Sequence, residues 1–367
     1  MTEMNNEPMD PIVQRWVDQV RAAQADRRPL RLLGSGSKDF YGHPTQGEPM
    51  VLTEYQGVIE YEPSELVITV KGGTTVSEIK ELLARNHQFL PFEPPLFGPE
   101  ATIAGCVASG LAGPRRAQAG GVRDFILGIR LIDGQGRVMT FGGQVMKNVA
   151  GYDVSRLLAG SLGTLGILAE LSIKVLPKPV KELTLQLSAS QHEALHHLNT
   201  WGGQPIPISA SLWHDDQLFV RLSGAPSALA VAQDIIQGTV LDKEQADALW
   251  RAVREQQYHW FRREEVLKQP LWRLSVPSTT EPILPELPQL IEWGGALRWC
   301  FSDWPAEVIR EQVAAVGGTA TVFRQHGTDL AVFHPLDPVV LGIQKRLKEK
   351  FDPAGIFNPG RIYPGEL

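Results

Sequence analysis

Residues 99–177 read PEATIAGCVASGLAGPRRAQAGGVRDFILGIRLIDGQGRVMTFGGQVMKNVAGYDVSRLLAGSLGTLGILAELSIKVLP. Glycine is dense here, charge is scarce, and the apolar residues come in brief runs. Glycine has no Cβ and lets a backbone approach its surroundings closely, so this stretch is suited to lie against something large and flat. Residues 126–132 and 137–141 read as strands joined by Asp133-Gly134-Gln135-Gly136. Asp-Gly between two apolar runs is a strong hairpin signal. Residues 165–176 read as a further strand, ended by Pro177 and Pro179.

Upstream, residues 11–25 place Ile12, Val13, Trp16, Val17, Val20 and Ala23 at helical spacing. The segment PLRLLG is a short buried-type strand over 29–33 that runs into Gly34. Residues 51–73 read as strands with a turn at Glu62-Pro63-Ser64, and residues 74–87 as a helix. Thr75 is its N-cap, with Glu78 three residues on, as in a capping box. The segment PFEPPLFG, 91–98, marks a connection.

Past residue 180 the character changes. Glycine thins out, and eight of the nine Trp follow Pro179, which marks a separate unit. Strands over 183–187, 208–213, 218–222, 272–276, 296–301 and 319–324 alternate with helices over 192–199, 229–237, 245–257 and 306–315. That order suggests an antiparallel sheet with helices on one face. The tail carries an amphipathic helix with Ile343, Leu347 and Phe351, then DPAGIFNPGRIY. The expected fold is α+β. Residues 1–180 form a two-lobed domain (small lobe 1–90, larger lobe 91–180). Residues 181–335 form a smaller cap, and 336–367 return to the first domain.

A length of 367 residues is too great for one simple core. The formal net charge of −6 offers no bulk reason to expect nucleic acid. Two cysteines, Cys106 and Cys300, cannot supply the four thiolates of an iron–sulfur cluster. Their separation fits a reducing compartment better than a secreted disulfide scaffold. The N-terminus has no apolar signal core, and no apolar run approaches the roughly 20 residues of a membrane span. The expectation is a cytoplasmic protein without a metal site, with any attachment to the inner face of the membrane made through partners.

Four motifs carry the chemistry. Gly34-Ser35-Gly36-Ser37-Lys38 follows a strand, and successive N–H groups in such a loop form an anion site or an ordinary turn. It is not a Rossmann fingerprint, because Asp39 stands where the third Gly belongs, and it is not a Walker A loop. Ala101 to Gly110 is either a close approach to a ligand or a tightly packed turn. Arg115 and Arg116 beyond it either pair with a pyrophosphate or stay solvated. Gly160, Gly163 and Gly166 permit backbone contact with a planar group, or mark a helix-to-strand junction. The helix end at Phe351 to Arg361 reads by itself as a capped turn.

In order and spacing the four together resemble the FAD-binding fold of the vanillyl-alcohol-oxidase, or PCMH, type, over roughly residues 28–178 and 336–363. That resemblance implies FAD. It implies cofactor contacts at Gly34, Ser35, Gly36, Ser37, Lys38, Pro91, Thr102, Ile103, Gly105, Ser109, Gly110, Gly163, Thr164, Gly166, Ile167 and Asn358. The Lys147 to Asp153 segment resembles the 2-hydroxy-acid dehydrogenase branch. GSGSKDF, PFEPPLFG, GPRRAQAGGVRDFILG and KNVAGYDVSRLLAGSLGTLGIL are most similar to the FAD-binding E-type subunits of bacterial glycolate oxidases. The resemblance implies assembly with a larger catalytic FAD subunit and an iron–sulfur subunit, on a small 2-hydroxy acid.

Two departures stand out. Covalent members carry a His in the first loop, where this chain has Ser37 and Lys38, so the FAD is expected to be non-covalent. The Gly-Asp-Gly-Asn-x-His stretch of catalytic subunits is missing. Arg273 and Arg298 either hold a carboxylate or pack beside Trp, and Tyr152 either faces the flavin or is structural. Two other readings stay open: a self-sufficient dehydrogenase of another hydroxy acid such as D-lactate, and a non-catalytic scaffold subunit.

Overall fold

The computed structural model describes residues 9–143, 153–264 and 268–366. Its first half is built on a five-stranded antiparallel sheet in the order Val58–Glu62, Val67–Lys71, Ile167–Lys174, Ile126–Ile132, Val138–Gly142. The three inner strands are largely buried on both faces because both faces are covered. On one side lie the helices Val76–Arg85 and Ile103–Ser109, which bury Val76, Ile79, Leu83, Ile103 and Val107 against Ile68, Val70, Leu171 and Ile173. On the other lies the helix Pro11–Asp26, whose Val13, Trp16, Val17 and Val20 pack on Ile132, Ile167 and Ala169.

Thr75 caps the helix Val76–Arg85 as expected, accepting from the Glu78 N–H at 3.2 Å. Residues 102–109, read from sequence as either a close approach to a ligand or a packed turn, form a helix. Thr102 Oγ1 accepts from the Gly105 N–H at 3.3 Å and starts a seven-residue helix that Gly110 ends in the left-handed conformation at φ +65°. Two turns of small residues have too little apolar periodicity to stand out in sequence.

The strand Leu30–Leu33 pairs in parallel with Glu48–Val51. The C-terminal tail then adds itself to the same strand. Leu30 N–H donates to Ile356 O at 2.7 Å, and Asn358 N–H donates to Leu30 O at 3.0 Å. The helix Pro338–Phe351 leads into this turn, with Leu347 and Phe351 against the core. Ile343, expected on the same apolar face, is 52% exposed instead.

The second sheet has eight strands, all antiparallel, in the order Thr239–Val240, Lys181–Ser188, Gln217–Gly224, Ile208–His214, Gln289–Glu292, Leu297–Phe301, Leu271–Ser275, Thr319–Arg324. Two of these were not expected: Thr239–Val240 and Gln289–Glu292 are too short to show alternation. The one-sided helix layer also needs correction. The helices Gln191–Gly202, Pro226–Ile236 and Ala306–Ala315 cover one face. The helix Lys243–Arg254 lies on the other, where Leu249, Trp250 and Val253 join Leu212, Trp299 and Phe323. Trp250 Nε1 donates to Thr184 Oγ1 at 2.9 Å and fixes that placement.

The same face rests on the first half of the chain. Phe40, Phe97 and Phe323 meet edge-on, with Phe40 5.2 Å from Phe97 and 5.4 Å from Phe323 between ring centroids. Trp293 Nε1 donates to Gly113 O at 3.0 Å across the junction. Glu255 Oε2 accepts from the N–H groups of Leu96 and Phe97 at 2.9 and 3.0 Å.

Asp352 holds the tail turn. Its side chain is fully buried and accepts from Ile356 N–H at 3.1 Å, Phe357 N–H at 2.8 Å and Lys348 Nζ at 2.7 Å. Removing one member of a buried ion pair leaves the other charge unpaired, which costs several kcal/mol. Asp352→Ala is therefore expected to lower unfolding free energy by about 3 kcal/mol in urea titration. A loss under about 1 kcal/mol, the range of a surface pair, would show that the turn is held elsewhere.

Candidate functional site

The loop after the first strand makes the polar end of a groove. Gly34, Ser35, Gly36, Ser37 and Lys38 all line it, with Thr102, Gly105, Ser109 and Asn358 opposite. This part encloses about 590 Å³, open solvent at its mouth included. Among the described residues, the N–H groups of Ser35, Gly36, Ser37 and Lys38 donate to no protein acceptor. Four consecutive free donors on a loop with Gly36 at φ +75° are the kind of arrangement that suits an anion. Arg31, Lys38 and Arg361 add positive charge to the walls against one carboxylate, Asp39. Arg361 also braces the loop, donating to Asp39 O at 3.1 Å and His43 O at 3.0 Å.

The groove continues into an apolar part of about 480 Å³, walled by Leu52, Gly72, Ala104, Gly163, Gly166, Ile167 and Leu168. Small residues keep it open. A Cβ on Gly34 would stand 2.7 Å from Thr102 Oγ1, and one on Gly163 would stand 2.7 Å from Asn358 Nδ2. Asn358 joins the two parts. Its Oδ1 accepts from Leu32 N–H at 2.9 Å and its Nδ2 donates to Leu162 O at 2.8 Å.

Four expected contacts lie behind the wall instead of in it. Ile103 is fully buried in the core, and Pro91 is buried beside Phe92. Gly110 packs against Gly160, and Thr164 Oγ1 is turned to Ser161 O at 2.8 Å.

The expected pairing of Arg115 and Arg116 with a pyrophosphate is corrected. Arg115 is buried at the junction of the two sheets, bonded to Glu93 and Glu182. Arg116 lies over the Trp293 ring at 4.5 Å. Arg298 is corrected too: its guanidinium donates to the carbonyls of Gly295, Glu281 and Thr280, which leaves no fork for a carboxylate. Tyr152 and Lys147 lie outside the described residues.

Arg273 stands differently. It lines a second, smaller cavity of about 370 Å³ between the two sheets, with Phe97, Leu111, Glu292, Trp299 and Phe323. Arg273 stands beside Tyr41, whose buried phenol is raised by burial and partly brought back by that guanidinium. Glu292 was missed in sequence. It is buried and accepts from Trp299 Nε1 at 2.8 Å. Burial pushes its carboxyl up to about 7, with Trp299 and Arg273 pulling the other way. The one available signal was a single acid in the apolar run Leu290-Ile291-Glu292-Trp293.

Comparison with known proteins gives this geometry a family. The model of the FAD binding domain matches residues 13–142. The glycolate oxidase subunit GlcE of Escherichia coli K12 is 44% identical over 352 residues, 95% of this chain and 97% of its own length. The glycolate oxidase subunit GlcD of Bacillus subtilis is 32% identical over 161 residues, 43% of this chain and 34% of its own. A D-lactate dehydrogenase of Archaeoglobus fulgidus is 23% identical over 91% of this chain and 86% of its own. Among solved structures, an alkyldihydroxyacetonephosphate synthase superposes with a TM-score of 0.63 at 13% identity, over 94% of this chain and 74% of that one. That likeness shows the fold alone.

The cofactor is FAD, and the groove suits it. Free loop amides and Lys38 match a diphosphate, and the glycine-lined apolar part admits a flat ring. Purified chain is expected to release FAD into solution on denaturation, and Gly163→Ala, at φ +73° with no room for Cβ, is expected to carry clearly less than one flavin per chain. Flavin absorbance of the supernatant and of the native protein checks both.

Glu292 makes stability pH-dependent. A carboxyl whose folded pKa is raised binds its proton more tightly folded than unfolded. Its contribution is fully present below its ordinary value of 4.5 and is lost as pH rises through about 7. Glu292→Gln should therefore be more stable than the parent chain at pH 8 by roughly 3 kcal/mol, with the gap closing by pH 5. Urea titrations at the two pH values measure it. Equal gaps at both would place the titration elsewhere.

Proposed function

The chain belongs to the family of the glycolate oxidase subunit GlcE, and we propose that it is the FAD-carrying subunit of a glycolate oxidase complex. The complex oxidises glycolate or a similar 2-hydroxy acid to the 2-oxo acid. The observation that carries the reading is the groove itself: a Gly/Ser loop with four free amides, continuous with a glycine-lined apolar slot, in a chain that follows GlcE along nearly its whole length. FAD, when bound, supplies the hydride acceptor. The loop amides and Lys38 hold its diphosphate, and Asn358 locks the wall between the two parts of the groove. Ser37 and Lys38 offer no His for a covalent link, in keeping with reversible binding.

Electrons must then leave. With two cysteines, both buried, this chain has no thiolate set for an iron–sulfur cluster. The expected recipients are a larger flavoprotein subunit and an iron–sulfur subunit. No helix among the described residues is long and apolar enough to cross a membrane. Any attachment to the inner membrane face runs through those partners.

A second reading has one observation in its favour. Arg273 and Glu292 line the same cavity, a pairing suited to a hydroxy acid. The guanidinium would hold the substrate carboxylate, and the ionised Glu292 carboxylate would accept the hydroxyl proton. In that reading this subunit turns over substrate by itself.

Anaerobic glycolate added to the purified yellow chain separates the two. Flavin absorbance is expected to persist until partner subunits are added. Rapid bleaching of the isolated chain, abolished by Arg273→Ala, would establish the second reading, and a chain that cannot be loaded with FAD would sink both.

A further inference from the structure

A crevice of about 1790 Å³, open solvent included, runs between the helix Val76–Arg85, the connection at 178–184 and the helix Lys243–Arg254. It is separate from the FAD groove. Its walls carry seven Lys or Arg side chains against three carboxylates. Those three are already paired inside the chain: Glu93 with Arg115 and Arg221, Glu182 with Arg115, and Asp247 with Lys243. Among the described residues, Lys80, Lys178, Lys181 and Arg251 have no carboxylate partner. A local excess of four positive charges is unusual in a chain of net charge −6.

Gathered like charges raise the local potential and attract an anion. Lys80 feels the crowding: burial first, and then Arg254, hold its amine below the ordinary range. The rim is of another kind. Val180 is 84% exposed and Val240 46% exposed beside the charged walls. The bordering strand Lys181–Ser188 is covered on its outer side only from Thr184 to Gln186 among the described residues, which leaves the stretch from Lys181 to Leu183 open beside the crevice. A small anion has no use for exposed valines and a part-open strand edge. A polypeptide uses both, with charge setting the encounter and apolar side chains closing the contact.

We propose that this crevice docks an acidic, extended polypeptide segment of a partner subunit. The inference rests on the reading that the chain works within a multi-subunit oxidase. It adds where the partner binds and what chemistry its segment carries.

The test co-expresses the full chain with the other subunits of its complex and compares the parent with a Lys80→Glu/Lys181→Glu/Arg251→Glu variant. None of these three side chains touches the FAD groove, so FAD content should not change. Association of the variant should be at least about 10-fold weaker at low salt, and association of the parent should weaken as salt rises. A Lys80→Gln/Lys181→Gln/Arg251→Gln variant guards against misfolding and should fall between the two. Unchanged association of the folded variants would overturn the crevice assignment while leaving the oxidase reading intact. A parent chain that binds no partner at any salt would overturn both. Citrate titrated into the isolated chain probes the small-anion alternative: citrate binding lost in the charge-reversal variant with partner association intact would make the crevice a small-anion site and overturn the proposal. A salt-sensitive dimer of the isolated chain, abolished in the variant, would assign the crevice to a second copy and do the same.

Discussion

Asn358 is the knot on which the groove depends. One side chain accepts from Leu32 N–H and donates to Leu162 O, while its own N–H donates to Leu30 O. Three segments, far apart in the chain, are thereby held within a few ångströms of the Gly34 loop. The geometry works because Gly163 has no Cβ to collide with the Asn358 amide. Asn358 itself sits at φ +40°, in the left-handed region that Asn tolerates better than most residues. Asp352 and Lys348 support the knot from behind, since Lys348 Nζ also donates to Thr164 O and Phe357 O at 2.6 and 3.0 Å. The tail is thus a structural wall of the groove.

The second constraint is the junction between the sheets. It is aromatic at its centre, where Phe40, Tyr41, Phe97, Trp299 and Phe323 meet. It is ionic at its edge, where Glu93 meets Arg115 and Arg221. Burial alone would push the Glu93 carboxyl up, but the two guanidinium groups outweigh it and hold it below the ordinary carboxylate range. Buried pairs of this kind add little net stability, but removing one partner strands the other charge. Lys38, which lines the groove, donates to Leu96 O at 3.2 Å, next to Phe97 in the cavity wall.

Much of this was legible from local chemistry. The hairpin at 133–136, the cap at Thr75 and the helix at 306–315 each follow from a short-range rule, and each formed where that rule put it. The Gly34 loop, Thr102, Gly105, Ser109 and Asn358 were named from motifs and stand together around one groove. The failures share a cause. Arg115 and Arg116 follow a glycine-rich segment that does line the groove, but a buried Glu93 captures the first and Trp293 the second. Glu292 sits on a strand of four residues whose partners lie across the sheet, so no window around it shows a period.

The sequence by itself determined the fold class, the loop that can cradle a diphosphate and the positions where no side chain fits, because each depends on a few adjacent residues. Tertiary structure decided which charges are free to act. Whether an arginine meets a ligand, a buried glutamate or three carbonyls depends on what other segments place beside it. Arg115, Arg273 and Arg298 look alike in sequence and end in an ion-pair network, an open cavity and a carbonyl cage. The same holds for Glu292, whose raised proton affinity comes from burial between two sheets that meet only when the whole chain has folded.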